Sequence, residues 1–343
     1  MTGPAPGVLR RRVRLGVALA VALLVVLAAA WRVARDARPA NGRSRRAILV
    51  DVPAGLGVGG VARLLARRGL LPSVAYFEAL SVLTGESRRL EAGVYRLSPA
   101  MTPAAILERI ARGDVATVTV TVVPGMTVAE VAHVVARAGL VAAPVFLRYA
   151  AAARPPAGFA GGPGVREPLE GYLYPDTYRI ALGSSAAEVV APMLAAFVRA
   201  FDPAERARAR AEGLSPAAAV TLASIVQREA ASPTVRRKVA AVFLNRLHAG
   251  MPLGSDATVY YAADVGPGQS LTAQDLASPS PYNTLDHDGL PPGPIDSPGG
   301  GALTAVLHPA HVPYLYFFAR PDGRYVFSRT YAGQLAAEGG GGG

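Results

Sequence analysis

An apolar run from Leu15 to Trp31, with no charged residue inside it, most constrains how this chain can fold. As a helix the run is about 26 Å long, which is just enough to cross the hydrocarbon core of a bilayer. Arginines flank it, four before and three after: Arg10, Arg11, Arg12 and Arg14, then Arg32, Arg35 and Arg38. The larger number before the run predicts a cytoplasmic segment at 1–14 and a membrane-spanning helix at 15–31.

A cleaved signal peptide is the alternative interpretation, because Ala28-Ala29-Ala30 offers the small residues that cleavage requires. Both interpretations put the rest of the chain outside the cytoplasm. We predict a single-pass protein of the inner (plasma) membrane, with a cytoplasmic N-terminus and an extracytoplasmic main body.

The net charge of +11 is concentrated around the apolar run. Residues 1–46 hold ten Arg and one Asp, a charge of +9, so the rest of the 343 residues carry only +2. A basic excess beside a membrane segment reflects topology, and we therefore predict no nucleic acid among the partners. The chain has no cysteine, which excludes disulfides and thiolate metal sites.

An internal repeat organises the region that follows. The segment "VPAGLGVGGVARLLARRGLL" at Val52–Leu71 resembles "VPGMTVAEVAHVVARAGLV" at Val123–Val141. Each copy predicts a strand, a turn with Pro and Gly, a short amphipathic helix and a Gly stop. In the second copy Thr127 and Glu130 predict a capping box. We predict a small α+β module of LysM-like type at 48–141, suited to holding glycan, with a simple spacer as the alternative.

Composition and periodicity set the remaining boundaries. Residues 32–47 form an Arg-rich tether, and residues 142–166 are rich in Ala, Pro and Gly, which predicts a linker. A mixed α+β domain follows at 167–332, and the Gly-rich end predicts a disordered tail at 333–343. The predicted elements of that domain are helices near 187–201, 216–229 and 233–247 and a hairpin over 313–329. The fold class is α+β.

One predicted helix has a carboxylate on its apolar face, in the segment "LASIVQREA" at 222–230. Four residues form a single stripe at helical spacing: Leu222, Ile225, Val226 and Glu229. Burial disfavours the charged form of a carboxyl, so such a group keeps its proton and can act as a general acid. The alternative is a structural role, in which Glu229 pairs with a nearby arginine or reaches solvent at the helix end.

Other catalytic motifs are missing from the sequence. It contains no G-x-S-x-G nucleophile elbow and no G-x-x-x-x-G-K-[ST] phosphate loop. Possible metal ligands occur late in the chain: Asp286, His287, Asp288, His308 and His311. Adjacent residues of one loop rarely ligate a single ion, so we predict a polar turn there, and no metal or other cofactor.

Six segments in a fixed order resemble one family. They are "LEGYLYPDTYRI" (169–180), "LASIVQREA" (222–230), "VAAVFLNRLHAGMPLGSDATVYYA" (239–262), "PYNTLDHDGLPPGPIDSPG" (281–299), "HPA" (308–310) and "PYLYFFA" (313–319). Together they resemble the endolytic murein transglycosylase family, also called the YceG-like or MltG family, over about 48–332. For residues 167–332 the resemblance implies a catalytic domain.

The resemblance implies a lyase that cuts the β-1,4 bond between N-acetylmuramic acid and N-acetylglucosamine within nascent peptidoglycan strands. The muramic C6 hydroxyl attacks C1 and leaves a 1,6-anhydro end, which terminates strand elongation. One carboxyl suffices for both proton transfers, because neither water nor a carboxylate nucleophile takes part. The implied partners are glycan strands, the membrane bilayer, peptidoglycan synthases and divisome or elongasome proteins. A non-catalytic, membrane-anchored glycan-binding scaffold is the alternative function.

The resemblance also implies roles for single residues. Glu229 matches the second Glu of the family segment S-I-[IV]-E-K-E and would be the catalytic acid and base, while Gln227 replaces the first Glu. The implied substrate-binding residues are Tyr282, Asn283, Thr284, Gln227, Asp256, Thr258, Glu170 and Asp176. For Glu170 and Asp176 a structural hydrogen-bonding role is favoured over glycan contact.

Overall fold

The computed structural model describes residues 6–44, 46–266, 269–320 and 322–339. These residues form two compact units. Their mixed α+β architecture is the fold class that the sequence predicts. The first unit runs to Thr117 and includes residues 181–183, and the second contains Val118–Ile180 and the residues from Ser184 onward. The predicted module at 48–141 is therefore divided, because its second repeat copy belongs to the second unit.

The first unit contains four helices and two strands among its described residues. They are α1 (Pro6–Asp36), β1 (Ile48–Val52), α2 (Val58–Arg67), α3 (Val74–Leu83), β2 (Gly93–Leu97) and α4 (Pro103–Ala111). In α1 the stretch Arg14–Asp36 is long and apolar enough to cross a membrane. The helix continues past Trp31 into the predicted tether, because the first residue after Trp31 that breaks a helix is Pro39.

The first repeat copy folds as strand, helix, helix and strand. β1 and β2 pair antiparallel, with Val50 opposite Tyr95. These two residues are fully buried together with Leu65 of α2 and Phe77 of α3. Ser73 begins α3, since its Oγ accepts a hydrogen bond from the N–H of Tyr76 at 3.2 Å. The LysM-like assignment of this region stays a prediction.

The second unit holds the other elements in chain order, apart from Thr117 and Ala181 at the ends of two strands. They are β3 (Thr117–Thr121), α5 (Val128–Arg137), α6 (Ala143–Ala152), β4 (Thr177–Ala181), α7 (Ala186–Ala200), α8 (Pro203–Ala211), α9 (Pro216–Glu229), α10 (Pro233–His248), α11 (Asp256–Ala263), α12 (Ala273–Leu276), α13 (Gly300–Leu307), β5 (Tyr316–Ala319), β6 (Tyr325–Ser328) and α14 (Tyr331–Gly339).

The second repeat copy has the same order of elements, β3, α5, α6 and β4. β3 and β4 form a two-stranded sheet, beside which the N–H of Val122 donates to the carbonyl of Asp176 at 2.9 Å. The predicted capping box of Thr127 and Glu130 is present at the start of α5. The structure thus extends the repeat found in the sequence to a second helix and a returning strand.

The predicted linker at 142–166 contains helix α6, so that prediction is wrong for Ala143–Ala152. Phe146 and Ala150 of this helix are fully buried, and α6 packs against α5. Pro144 lies in the first turn of α6, where proline needs no backbone donor. The segment is rich in Ala and Pro, and for this reason its composition did not predict a helix with an apolar face.

α9 is the central helix of the second unit and packs against α10, α11 and α13. Ser215 caps it as predicted, because its Oγ accepts the N–H of Ala218 at 3.1 Å. α10 begins at the predicted Ser-Pro pair, although Ser232 makes no side-chain capping bond. A cluster of edge-to-face aromatic rings supports the core: Phe159, Tyr172, Phe197 and Phe201.

The predicted hairpin is present, with Phe317 of β5 opposite Phe327 of β6. The predicted disordered tail at 333–343 differs from the structure, where α14 continues to Gly339. The ring of Tyr331 packs 5.8 Å from the ring of Tyr316, which holds the start of α14 against the hairpin. Residues 340–343 lie outside the described residues.

Candidate active site

Glu229 is the last residue of α9, and its side chain lines a cavity of about 460 Å³. The preceding residues of its stripe, Ile225 and Val226, are fully buried. The helix ends here, since Ala230 adopts an extended conformation, and α10 begins at Pro233. We call this space the Glu229 cavity, and its other lining residues are Arg228, Asp256, Ala257, Tyr260, Val265 and Gln269.

A buried network of hydroxyl groups holds the carboxylate of Glu229. Ser255 Oγ donates to Glu229 Oε1 at 2.5 Å, and the side chain of Ser255 is almost fully buried. The backbone N–H of Ser255 donates to Thr284 Oγ1 at 3.1 Å, and Thr258 Oγ1 donates to the carbonyl of Ser255 at 2.7 Å. Because every member of the network has a partner, the network fixes the orientation of the carboxylate.

Two side chains, one from the next helix and one from the hairpin, also satisfy the carbonyl groups at the end of α9. The hydroxyl of Tyr325 donates to the carbonyl of Glu229 at 2.5 Å, and Arg236 Nε donates to the carbonyl of Ala230 at 2.6 Å. The last carbonyls of a helix have no partner within the helix, so these bonds stabilise the helix end. They hold the backbone of Glu229 in place.

The environment of Glu229 favours its protonated form. Burial raises the pKa of Glu229, and the hydrogen bond from Ser255 lowers it in part. The nearby charge of Asp256 raises this pKa and that of Arg246 lowers it, and the net change is upward. A carboxyl with a raised pKa and a face on a cavity is suited to general acid catalysis.

A second cavity of about 430 Å³ adjoins the Glu229 cavity. The two share four lining residues: Arg228, Ala257, Tyr260 and Val265. The second cavity extends along the start of α5, the segment around Arg166–Glu170 and the end of α11. The two cavities together form a groove that could accommodate an extended polymer, with Glu229 in one half.

Of the predicted substrate-binding residues, Asp256 lines the Glu229 cavity and is exposed. Gln227 points elsewhere, since its Oε1 accepts the N–H of Gly299 at 3.2 Å. Thr258 and Thr284 are buried and bond each other at 2.9 Å, so they support Ser255 from behind. They offer no exposed surface to a sugar in this structure, and their contact with Glu229 runs through Ser255.

Tyr282 and Asn283 are also buried and hold loops together. The Tyr282 hydroxyl accepts the N–H of Arg166 at 3.2 Å, and Asn283 Nδ2 donates to the carbonyls of Leu276 and Ser278 at 3.0 and 2.8 Å. The structure thus gives these side chains internal partners where the sequence predicted glycan contact.

Glu170 and Asp176 take part in backbone contacts. Glu170 is buried, and its Oε1 accepts the N–H of Val128 at 3.1 Å at the start of α5. Glu170 also lines the second cavity, so the favoured structural role and the alternative of glycan contact both stay predictions. Asp176 is exposed, and its Oδ1 accepts the N–H of Thr177 at 2.7 Å. Asp176 lines neither half of the groove.

The predicted polar turn at Asp286–Asp288 is held by backbone bonds, because the N–H groups of Asp286 and His287 both donate to the carbonyl of Asn283. Across the part of the chain that the structure describes, no group of three His, Asp or Glu side chains could hold a metal ion.

The sequence prediction missed three residues that contact Glu229 or influence its charge: Ser255, Arg246 and Tyr325. Ser255 and Arg246 both lie in the segment at 239–262 that resembles the family, and this was their only available signal. Tyr325 lies outside the six segments, and its role depends on a contact between elements distant in the chain.

Comparisons with known proteins agree with the resemblance found in the sequence. A relative in Bacillus subtilis (strain 168), named endolytic murein transglycosylase, is 29% identical over 304 residues, which cover 85% of this chain and 84% of the relative. A relative of the same name in Streptococcus pneumoniae (strain D39) is 29% identical over 309 residues. The match covers 82% of this chain but only 56% of that longer protein.

A solved structure has the same fold. The crystal structure of a yceG-like protein from Listeria monocytogenes superimposes with a TM-score of 0.58 at 30% identity, covering 85% of this chain and 99% of that chain. The family model described as the YceG-like family matches residues 50–338, which is most of the sequence. On this evidence the chain belongs to the YceG-like family.

Proposed function

We propose that this protein is an endolytic lytic transglycosylase of peptidoglycan. It cleaves the β-1,4 bond between N-acetylmuramic acid and N-acetylglucosamine inside nascent strands and leaves a 1,6-anhydro end, so that strand elongation stops. The observation that carries the proposal is the carboxyl of Glu229, which has a raised pKa and faces a groove. Relatives named endolytic murein transglycosylase support the same substrate.

Glu229 performs both proton transfers in the proposed mechanism. Protonated Glu229 first donates its proton to the glycosidic oxygen, and the bond from that oxygen to muramic C1 breaks. The carboxylate then accepts the proton of the muramic C6 hydroxyl as its oxygen attacks C1, which closes the anhydro ring and restores the acid. Atoms and charge balance without water, so one carboxyl is sufficient.

Ser255 positions the acid for these steps. Its hydroxyl occupies Oε1 of Glu229, which leaves Oε2 to carry the transferable proton. The same hydrogen bond stabilises the carboxylate once the proton has left, because a bond to an ionised acceptor is stronger than one to a neutral acceptor. Ser255 is thus a positioning residue in the proposed mechanism.

The long apolar helix α1 supports a membrane anchor with a cytoplasmic N-terminus and an extracytoplasmic catalytic unit. In this arrangement the enzyme acts on strands close to the bilayer, where peptidoglycan synthases and divisome or elongasome proteins are its proposed partners. The LysM-like region proposed at 48–141 would bind glycan as well.

In the test the full chain in detergent is incubated with purified peptidoglycan, and the released fragments are identified by mass spectrometry. The wild type should give anhydro ends, and Glu229→Gln should lower the rate by about two to four orders of magnitude while glycan binding remains. Glu205→Gln, at a partly exposed glutamate of α8 that lines neither half of the groove, is the matched control and should retain activity. Cleavage by Glu229→Gln at the wild-type rate would assign the chemistry to another acid.

One observation favours a second candidate reaction, which is hydrolysis. The exposed carboxylate of Asp256 lines the same cavity as Glu229 and could activate a water molecule on the sugar. Fragments with a reducing end, each heavier by one water than the anhydro product, would identify this reaction. Binding without any cleavage by the wild type would instead indicate a glycan-binding scaffold.

A further inference from the structure

The half of the groove without Glu229 has charged side chains of both signs on its walls. We call it the mixed-charge pocket. Its acidic, basic and histidine residues are Glu130, Glu167, Asp264, Arg166, Arg228, His133 and the buried Glu170. It has a volume of about 430 Å³ and adjoins the Glu229 cavity at Arg228 and Tyr260.

The two arginines of the mixed-charge pocket are held in fixed positions. Arg166 donates to the carbonyl of Tyr261 at 2.8 Å and to Asp264 Oδ2 at 3.0 Å. Arg228 Nε lies 3.8 Å from Oδ2 of the buried Asp296. Because Arg228 directly precedes Glu229 in α9 and lines both cavities, a ligand of the mixed-charge pocket lies next to the proposed catalytic acid.

Glu167 presents an acceptor that lacks a donor in the described structure. Its Oε1 atom is buried and has no hydrogen-bond partner, although Glu167 lines the mixed-charge pocket. Burial also raises the pKa of Glu167, whereas a hydrogen bond with the backbone of Leu169 lowers it. An unpaired acceptor beside a cavity is costly, and an ammonium or amide N–H group of a ligand would satisfy it.

We propose that the mixed-charge pocket binds the peptide stem of a peptidoglycan strand whose glycan lies in the Glu229 cavity. The inference rests on the proposed function and adds a second recognised part of the substrate. In a strand with its stems the lactyl carboxyl of each muramic unit is amide-linked, so the sugars themselves offer no ionised group to the charged side chains of this pocket. A short peptide with free carboxylate and amino groups, amide-linked to the lactyl group of a muramic unit, offers both signs.

In this arrangement Arg166 and Arg228 face carboxylates of the peptide, and Glu167 faces one of its amino or amide N–H groups. A peptide bound here fixes which muramic unit lies beside Glu229. Peptidoglycan with its stems should therefore be a better substrate than the bare glycan, since the stem adds interactions that orient the strand.

The test compares two substrates with the full chain in detergent. One is uncrosslinked peptidoglycan with intact stems, and the other is the same material after an amidase has removed the stems, which leaves a lactyl carboxylate on each muramic unit but no peptide carboxylate, amino group or amide N–H. We expect the wild type to show a kcat/KM about tenfold higher on the strands with stems, a difference of about 1.4 kcal/mol. In Arg166→Gln and Glu167→Gln the ratio of the two kcat/KM values should fall towards one.

Arg154→Gln is the matched control, because Arg154 is an exposed arginine of the same unit that does not line the groove. It should retain the wild-type ratio. Thermal melting of each variant establishes that it is folded, and the isosteric Glu167→Gln serves if Arg166→Gln is unstable.

The proposal is overturned if the wild type cleaves both substrates equally, or if both pocket variants keep the wild-type ratio. In the first case the pocket would hold further sugar units or nothing at all. Failure of the wild type to cleave either substrate would contradict the proposed function itself, so the two failures are distinguishable.

Discussion

Removal of the Ser255 hydroxyl should impair the chemistry without disturbing the fold. In Ser255→Ala only Oγ is lost, and Oγ bonds Glu229 Oε1 at 2.5 Å. The bonds from Ser255 to Thr284 and Thr258 use its backbone groups and persist. A hydrogen bond to a charged partner contributes about 1.5–3 kcal/mol. At about 1.36 kcal/mol for each factor of ten, kcat should fall by about ten- to a hundredfold.

The pH profile of Ser255→Ala separates a positioning role from a structural one. The Ser255 hydrogen bond lowers the pKa of Glu229 against the larger effect of burial, so its loss lets this pKa rise further. Glu229 must be protonated to act as an acid, and activity is lost as the pH rises through its pKa. The alkaline limb of kcat/KM should therefore move to higher pH in the variant.

The assay is the initial rate of fragment release by the full chain in detergent, measured across the pH range. Ser297→Ala is the matched control, since Ser297 is also fully buried but its Oγ has no hydrogen-bond partner in the described structure. This control should keep the wild-type kcat and pH profile. An unchanged kcat and alkaline limb in Ser255→Ala would refute the reasoning.

Three further substitutions test the buried charges, the core and the helix end. Asp296 is fully buried and neither carboxylate oxygen has a hydrogen-bond partner among the described residues, so burial raises its pKa well above the ordinary value, while Arg228 lowers it in part. The folded state therefore disfavours the charged form of Asp296 at pH values above about 3.9, which is the pKa of an aspartate in the unfolded chain. Asp296→Asn should for this reason raise the Tm at neutral pH, and the gain in Tm should vanish as the pH falls towards about 3.9. An equal gain at every pH would contradict this reasoning. Phe197→Ala should lower the free energy of unfolding by about 3–5 kcal/mol in urea, whereas the exposed neighbour change Val198→Ala should cost less than about 0.5 kcal/mol. Tyr325→Phe removes the bond to the carbonyl of Glu229 and should lower kcat with little change in KM, measured in the same rate assay.

The local features of this fold were predictable because a short stretch of sequence carries their signal. The apolar run that became α1, the capping box of Thr127 and the Ser215 cap of α9 each depend on residues within a few positions of one another. The stripe that ends at Glu229 has the same property, since helical periodicity alone put a carboxylate on a buried face. The family segments then added the chemistry.

Predictions from composition were less successful. Residues 142–166 had the composition of a linker, yet α6 forms within them because Phe146 and Ala150 are buried against α5. α14 likewise forms beyond residue 333, where ring contact with the hairpin stabilises its start. In both segments packing against another element outweighs weak local preferences.

The sequence by itself determined that the chain has one long apolar helix, a repeated strand-helix unit and a single acid on the buried stripe of α9. Only the tertiary structure decided what surrounds that acid. Ser255 lies 26 positions from Glu229, and Tyr325 lies 96 positions away. Periodicity and capping describe one element at a time, whereas the meeting of these groups depends on how distant elements pack. That packing also turned Thr258 and Thr284 inward, away from any sugar.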